Sequence, residues 1–197
     1  GWWSYRDQWI SEAMANYSAL LYERNRLLGQ GERRVGLGPT SGWQEALGRL
    51  TASGRPVESL GPVTLGARLN SSLCGYAYQA IVYKKGAVVL DMLARLYGED
   101  AFLDMLRELV RAAEGRVVST DDFLNLLERL GGVELDWFRR QYVLGTGLPE
   151  IAYDYRVEDL GGGRWAVAGE ARQKSTYVDR FRVEQLADGV LDVTRQS

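Results

Sequence analysis

The chain has 197 residues and a formal net charge of −2, with 46% hydrophobic and 25% charged residues. That balance suits a globular protein with one good core or two small ones. It leaves no electrostatic case for a nucleic-acid or anionic-membrane partner, and no apolar run reaches bilayer-spanning length. The chain holds no histidine and one cysteine, Cys74. This excludes a Ser-His-Asp triad, a histidine base, an internal disulfide framework and any histidine-ligated metal site built by this chain alone.

The first predicted element is a helix from Ser4 to about Leu28. Ser4 and Asp7 make a capping-box-like start. Trp9, Ile10, Ala13, Met14, Tyr17, Leu20 and Leu21 then recur on one apolar face. One carboxylate, Glu12, sits at the border of that face. A charge against a Trp-rich surface is costly unless it is paired or bound to a metal. A lone helix carboxylate is ordinarily solvated or paired, so Glu12 needs an explanation that spacing alone does not supply.

Gly29-Gln30-Gly31 should end this helix. A loop with Gly36, Gly38 and Pro39 follows, then a short helix near Gly42 to Ala52. Residues 53–76 read as irregular but packed. Gly54, Pro56, Gly61, Pro62, Gly66 and Gly75 break regular structure, while Val57, Leu60, Val63, Leu65, Leu69 and Leu73 supply apolar surface. Tyr76 to Tyr97 is apolar almost all round and predicts a buried central helix. Lys84 and Lys85 within it read as solvated or snorkelling charges.

Asp100 to Ala113 predicts the next helix, with Arg107, Glu108 and Arg111, and Arg116 just beyond, on an exposed face. Ser119 to Asp122 caps a helix reaching about Leu130. Leu135 to Leu144 is the last, stopped by Gly145, Gly147 and Pro149. From Pro149 a period of two replaces helical spacing. Ile151, Tyr153, Tyr155 and Val157 share one face. Asp159 to Gly163 is a turn, and Trp165, Val167, Phe181, Val183 and Val190 to Val193 continue the pattern. The fold class is therefore α+β: helical over residues 1–148, with a small antiparallel β-segment over 149–197. That segment is short for an independent sandwich, and its open edge is expected to meet more chain.

Three stretches carry a resemblance. Trp9-Ile10-Ser11-Glu12-Ala13-Met14-Ala15-Asn16-Tyr17 resembles the W-L-x-E-G-x-A-x-Y segment of the membrane-alanine-aminopeptidase family of zinc gluzincin metallopeptidases. Tyr83-Lys84-Lys85-Gly86-Ala87 resembles its Y-x-K-G-A element. Thr120 to Phe123, then Asp136-Trp137-Phe138 with Gln141, then Gly147-Leu148-Pro149 resemble its T-x-D-F, D-W-F and G-x-P elements. The resemblance implies the helical C-terminal lobe of a thermolysin-like catalytic domain, running into a β-domain. It implies that Glu12 is a zinc ligand and that Tyr83 stabilises the oxyanion of the tetrahedral intermediate. The other zinc ligands, two histidines of an H-E-x-x-H helix, would lie upstream of Gly1.

Two departures are visible: Ala13 stands where the family has glycine after the glutamate, and Tyr142 where it has tryptophan. The implied activity is removal of N-terminal residues from peptides by a zinc-activated water. The implied cofactor is Zn2+ in a longer protein, of which this chain is a fragment. The chain alone is expected to be inactive and zinc-free. Trp2, Trp3 and Trp9 read as core or as a surface bared by missing chain, and bared tryptophans or the open sheet edge could drive self-association. Two other readings stay open: a non-catalytic helical interaction module with a β-appendage, and a degenerate peptidase homologue.

Overall fold

The computed structural model describes residues 3–29, 41–71, 74–147, 151–173, 180–185 and 191–196. The predicted Gln30–Pro39 loop, Trp2, and the stop at Leu148 and Pro149 lie outside these residues. The chain divides into two compact units, Gly1–Gly147 and Leu148–Ser197. The first is helical and the second is a sheet, so the fold is α+β.

In the helical unit, α1 spans Gln8–Gly29. Ser4 and Asp7 form the expected cap, but as a separate turn ahead of the helix: the Ser4 N–H and hydroxyl both donate to Asp7 Oδ2, at 3.0 and 2.7 Å. Trp9, Ile10, Ala13, Tyr17 and Leu20 are buried along one stripe, as their spacing predicts. The helix α2 spans Ser41–Gly48. The connector expected to be irregular contains 3₁₀ turns over Val57–Leu60 and Val63–Ser71, the latter broken by a kink at Gly66.

The central helix is not uniform. Gln79–Lys85 is π-helical, and α3 continues as Gly86–Tyr97. The Gly86 N–H reaches the Ile81 carbonyl, five residues back. Periodicity predicts an ordinary helix here, because an inserted residue leaves little apolar signature in a stretch that is apolar almost all round.

Next come α4, Glu99–Ala112, and α5, Thr120–Gly131. Ser119 and Asp122 make a complete capping box on α5. The short α6, Asp136–Phe138, passes into a second π-helical turn, Arg139–Val143. No helix among the described residues is long and apolar enough to cross a membrane.

In the second unit, β1 (Ile151–Gly161), β2 (Arg164–Gln173), β3 (Arg180–Gln185) and β4 (Leu191–Gln196) form an antiparallel meander in the order β1-β2-β3-β4. The register aligns Val157 with Val167 and Gly169 with Val183. Gly161, Gly162 and Gly163 all hold positive φ at the β1–β2 turn, which any other residue would resist. Tyr153, Tyr155, Val157 and Trp165 are exposed.

Candidate active site

The apolar face of α1 packs on the π-helical turn and α3, and both ends of α1 are tied down. At its start, Asp7 Oδ1 accepts the backbone N–H of Thr120 at 2.7 Å, and the Trp9 indole N–H donates to the Thr120 hydroxyl at 3.0 Å. Asp7 thus joins the α1 entry to the first turn of α5, where a negative charge suits the helix dipole. Burial works to raise the Asp7 pKa, but the hydrogen bonds from Thr120 and Ser4 outweigh it and hold the carboxyl below the usual range. Toward its other end, Arg24 bridges Asp91 of α3 at 2.8 Å and Glu99 of α4 at 3.0 Å.

Midway, Ala13 meets Gly86. A Cβ on Gly86 would lie 2.8 Å from Ala13 Cβ, so only glycine allows this approach without displacement. The contact brings the Glu12 side of α1 onto the turn that carries Tyr83.

Glu12 and Tyr83, the two residues singled out by sequence, are hydrogen-bonded to each other. The phenol donates to the carboxylate. That bond, with burial and the Glu12 charge beside it, pushes the Tyr83 hydroxyl up to about 12. Two neighbours complete the cluster. Gln8, one turn before Glu12, donates to Glu12 Oε1 over a long 3.5 Å. Tyr78 packs edge-on against Tyr83, with ring centroids 5.6 Å apart, and hydrogen-bonds to both Tyr83 and Gln8. Burial first, then the Glu12 charge, raises the Tyr78 hydroxyl.

Neither Tyr78 nor Gln8 stands out from spacing. Tyr78 and Tyr83 are five residues apart, which in an α-helix would turn them roughly 140° from each other. The π-turn closes its hydrogen bonds at that interval and brings the two phenols to one face. The only signal in the sequence is the second tyrosine itself.

Lys85 corrects the reading made from composition. It is not solvated: its side chain is 7% exposed and pairs with Glu58, itself 2% exposed. Lys84, beside it, is half-buried. Trp9 is fully buried while Trp3 is exposed, so only Trp3 remains a described surface tryptophan at this end of the chain. Arg107 and Arg111 are exposed and pair with Asp104 and Glu108 along α4, as an outward face requires.

The sequence model of the peptidase family M1 domain matches residues 2–142. The chain belongs to peptidase family M1. Two relatives are both named aminopeptidase N. The one from Haemophilus influenzae (strain ATCC 51907 / DSM 11121 / KW20 / Rd) is 36% identical over 84 residues, covering 41% of this chain and 10% of that protein. The one from Escherichia coli (strain K12) is 34% identical over 82 residues, covering 41% of this chain and 9% of that protein. The matched stretch therefore spans about a tenth of the length of these family M1 relatives.

What this segment of family M1 can offer a metal is limited. Among the described residues no three His, Cys, Asp or Glu side chains lie together. Glu12 fits the part of a single ligand. It is half-buried, makes no ion pair among the described residues, and its carboxylate is held by neutral donors only. An anionic oxygen without a cation partner, next to two phenols, suits a metal supplied jointly with other ligands.

Proposed function

We propose that this chain contributes one zinc ligand, Glu12, and the oxyanion-binding phenol, Tyr83, to a zinc-dependent aminopeptidase. The observation that supports the reading is the Tyr83–Glu12 hydrogen bond: two residues 71 positions apart in the sequence meet around an anion that has no cation partner among the described residues. The family and the named relatives support peptides with a free N-terminus as the substrate class.

Bound zinc would polarise the scissile carbonyl and acidify a coordinated water. The chain's own residues do the rest of the work assigned to it. Glu12 offers a carboxylate oxygen from a helix pinned at both ends, with Gln8 orienting the group. With Glu12 engaged by the metal, the Tyr83 O–H would be released from that carboxylate to donate instead to the oxygen on which negative charge develops. A phenol ordinarily titrates near 10, so it is a neutral donor at neutral pH. Its place on a packed turn means little is spent in reorganising it when the charge appears. Tyr78, bonded to Tyr83, restricts where that hydroxyl can point.

One carboxylate does not complete a catalytic zinc site, which takes three protein ligands. This chain alone should therefore bind no stoichiometric zinc and hydrolyse no aminoacyl-arylamide. Zinc located at Glu12 in a monomer, by metal analysis and anomalous scattering, would overturn that. In a polypeptide that also carries H-E-x-x-H in register with Glu12, Tyr83→Phe should keep its zinc and lose about 100- to 1000-fold in turnover. Full turnover in that variant removes Tyr83 from the mechanism. Upstream residues that lack the two histidines would favour the degenerate homologue instead.

A further inference from the structure

We infer that the buried Glu58–Lys85 ion pair holds the π-helical turn in register and thereby aims the Tyr83 hydroxyl at Glu12. Glu58 and Lys85 are positioning residues in this account, which rests on the reading of Glu12 and Tyr83 given above.

Lys85 is the last residue of the π-turn. Its ammonium donates to Glu58 and, at 3.2 Å, to the Gly145 carbonyl. The second oxygen of Glu58 accepts the Gly147 N–H. The pair therefore joins three segments: the 3₁₀ segment at Val57–Leu60, the π-turn, and the residues that end the helical unit. Burying two charges is costly, and well-packed apolar residues often serve stability as well or better. What the pair adds is direction, since each charge accepts a narrow set of partner positions.

The next residue, Gly86, is wedged against Ala13. Lys85 and Gly86 together fix the C-terminal end of the turn from two sides. A π-turn is a one-residue insertion that tends to relax into α-helix. Relaxation would rotate the chain on one side of it by about 100°. The pair and the Gly86 contact oppose that rotation; with the pair removed, only Gly86 holds the end of the turn, and the rotation would fall on the residues of the turn, Tyr83 among them. It would part the two phenols and carry Tyr83 off Glu12.

The test places 3-fluorotyrosine at position 83 alone in this chain and reads its fluorine resonance, with urea melts and circular dichroism as controls. Glu12→Ala marks the resonance of a Tyr83 that has lost its partner. Glu58→Gln/Lys85→Met removes both charges and keeps an acceptor for Gly147. The expected result is a folded helical unit whose Tyr83 resonance broadens and shifts toward the Glu12→Ala position. A native resonance in this variant overturns the inference, whether or not the melt has moved, because a merely structural pair would lower the midpoint and leave Tyr83 in place. If the double variant does not fold, Glu58→Asp decides. It keeps the charge but is too short to reach both Lys85 and Gly147, and a native resonance there overturns the inference as well. Full turnover by Tyr83→Phe would remove the role of Tyr83 in catalysis but would not touch this resonance. An unmoved resonance would remove the role of the pair and leave Tyr83 in catalysis.

Discussion

Gly86→Ala measures how tightly α1 is pressed against the turn that carries Tyr83. Gly86 already has helical angles, φ −55 and ψ −45. In an unconstrained helix, alanine there would stabilise by about 1 kcal/mol. Here the new Cβ would sit 2.8 Å from Ala13 Cβ, whereas carbon pairs rest at about 3.5–4.0 Å. The two helices must part by about 1 Å, and overpacking of this kind costs roughly 1–3 kcal/mol. The net expectation is a loss of about 0–2 kcal/mol where propensity alone promises a gain.

Ala13→Gly removes the obstructing carbon at a helix cost of about 1 kcal/mol. In that background the nearest remaining neighbours of the new methyl are Trp9 Cε3 at 3.6 Å and Ala13 Cα at 3.7 Å, ordinary contacts. Gly86→Ala should then stabilise by about 1 kcal/mol, so the two substitutions couple favourably by roughly 1–3 kcal/mol. Urea melts of the four proteins at constant slope give the cycle, and each kcal/mol moves a domain of this size by about 2–4 °C in Tm. A single variant Gly86→Ala that melts later than its parent, or a cycle that adds within error, would refute the close approach.

Asp7→Asn keeps the shape and removes the charge that accepts from Ser4 and Thr120; it should cost about 1–3 kcal/mol at neutral pH. Because the folded Asp7 pKa is lowered, its contribution is complete above the unfolded value near 4 and fades as pH falls through the lower folded value. Thermal melts of parent and variant should therefore converge toward acid pH, and a gap that widens there would contradict the assignment. The exposed stripe of Tyr153, Tyr155, Val157 and Trp165 should drive concentration-dependent association of this chain. Tyr155→Lys/Trp165→Lys should abolish it in sedimentation velocity; a parent chain that stays monomeric at high concentration rules it out.

Much of this protein is written in local patterns. The apolar stripe of α1, the Ser119–Asp122 capping box and the alternation beyond Pro149 each depend on residues within a few positions of one another, so the sequence alone determines them. The helical-then-β order and the α+β class follow. Glu12 and Tyr83 could be named as candidates because their neighbours form short motifs, and the absence of histidine limits what this chain can ligate by itself.

Only the tertiary structure decided how those pieces meet. The π-turn that brings Tyr78 beside Tyr83 is invisible to periodicity, since a stretch apolar almost all round shows little change when one residue is inserted. Asp7 was legible as a local cap, but its second bond, to Thr120 on α5, spans 113 positions. Lys85 looks like a surface charge because lysine ordinarily is one. Its burial depends on Glu58 arriving from 27 positions away, and no pattern within the helix can report a partner on another segment. The meeting of Glu12 with Tyr83 is of the same kind: the residue types are set locally, and the contact is set by Gly86, which lets two helices approach closely enough to make it.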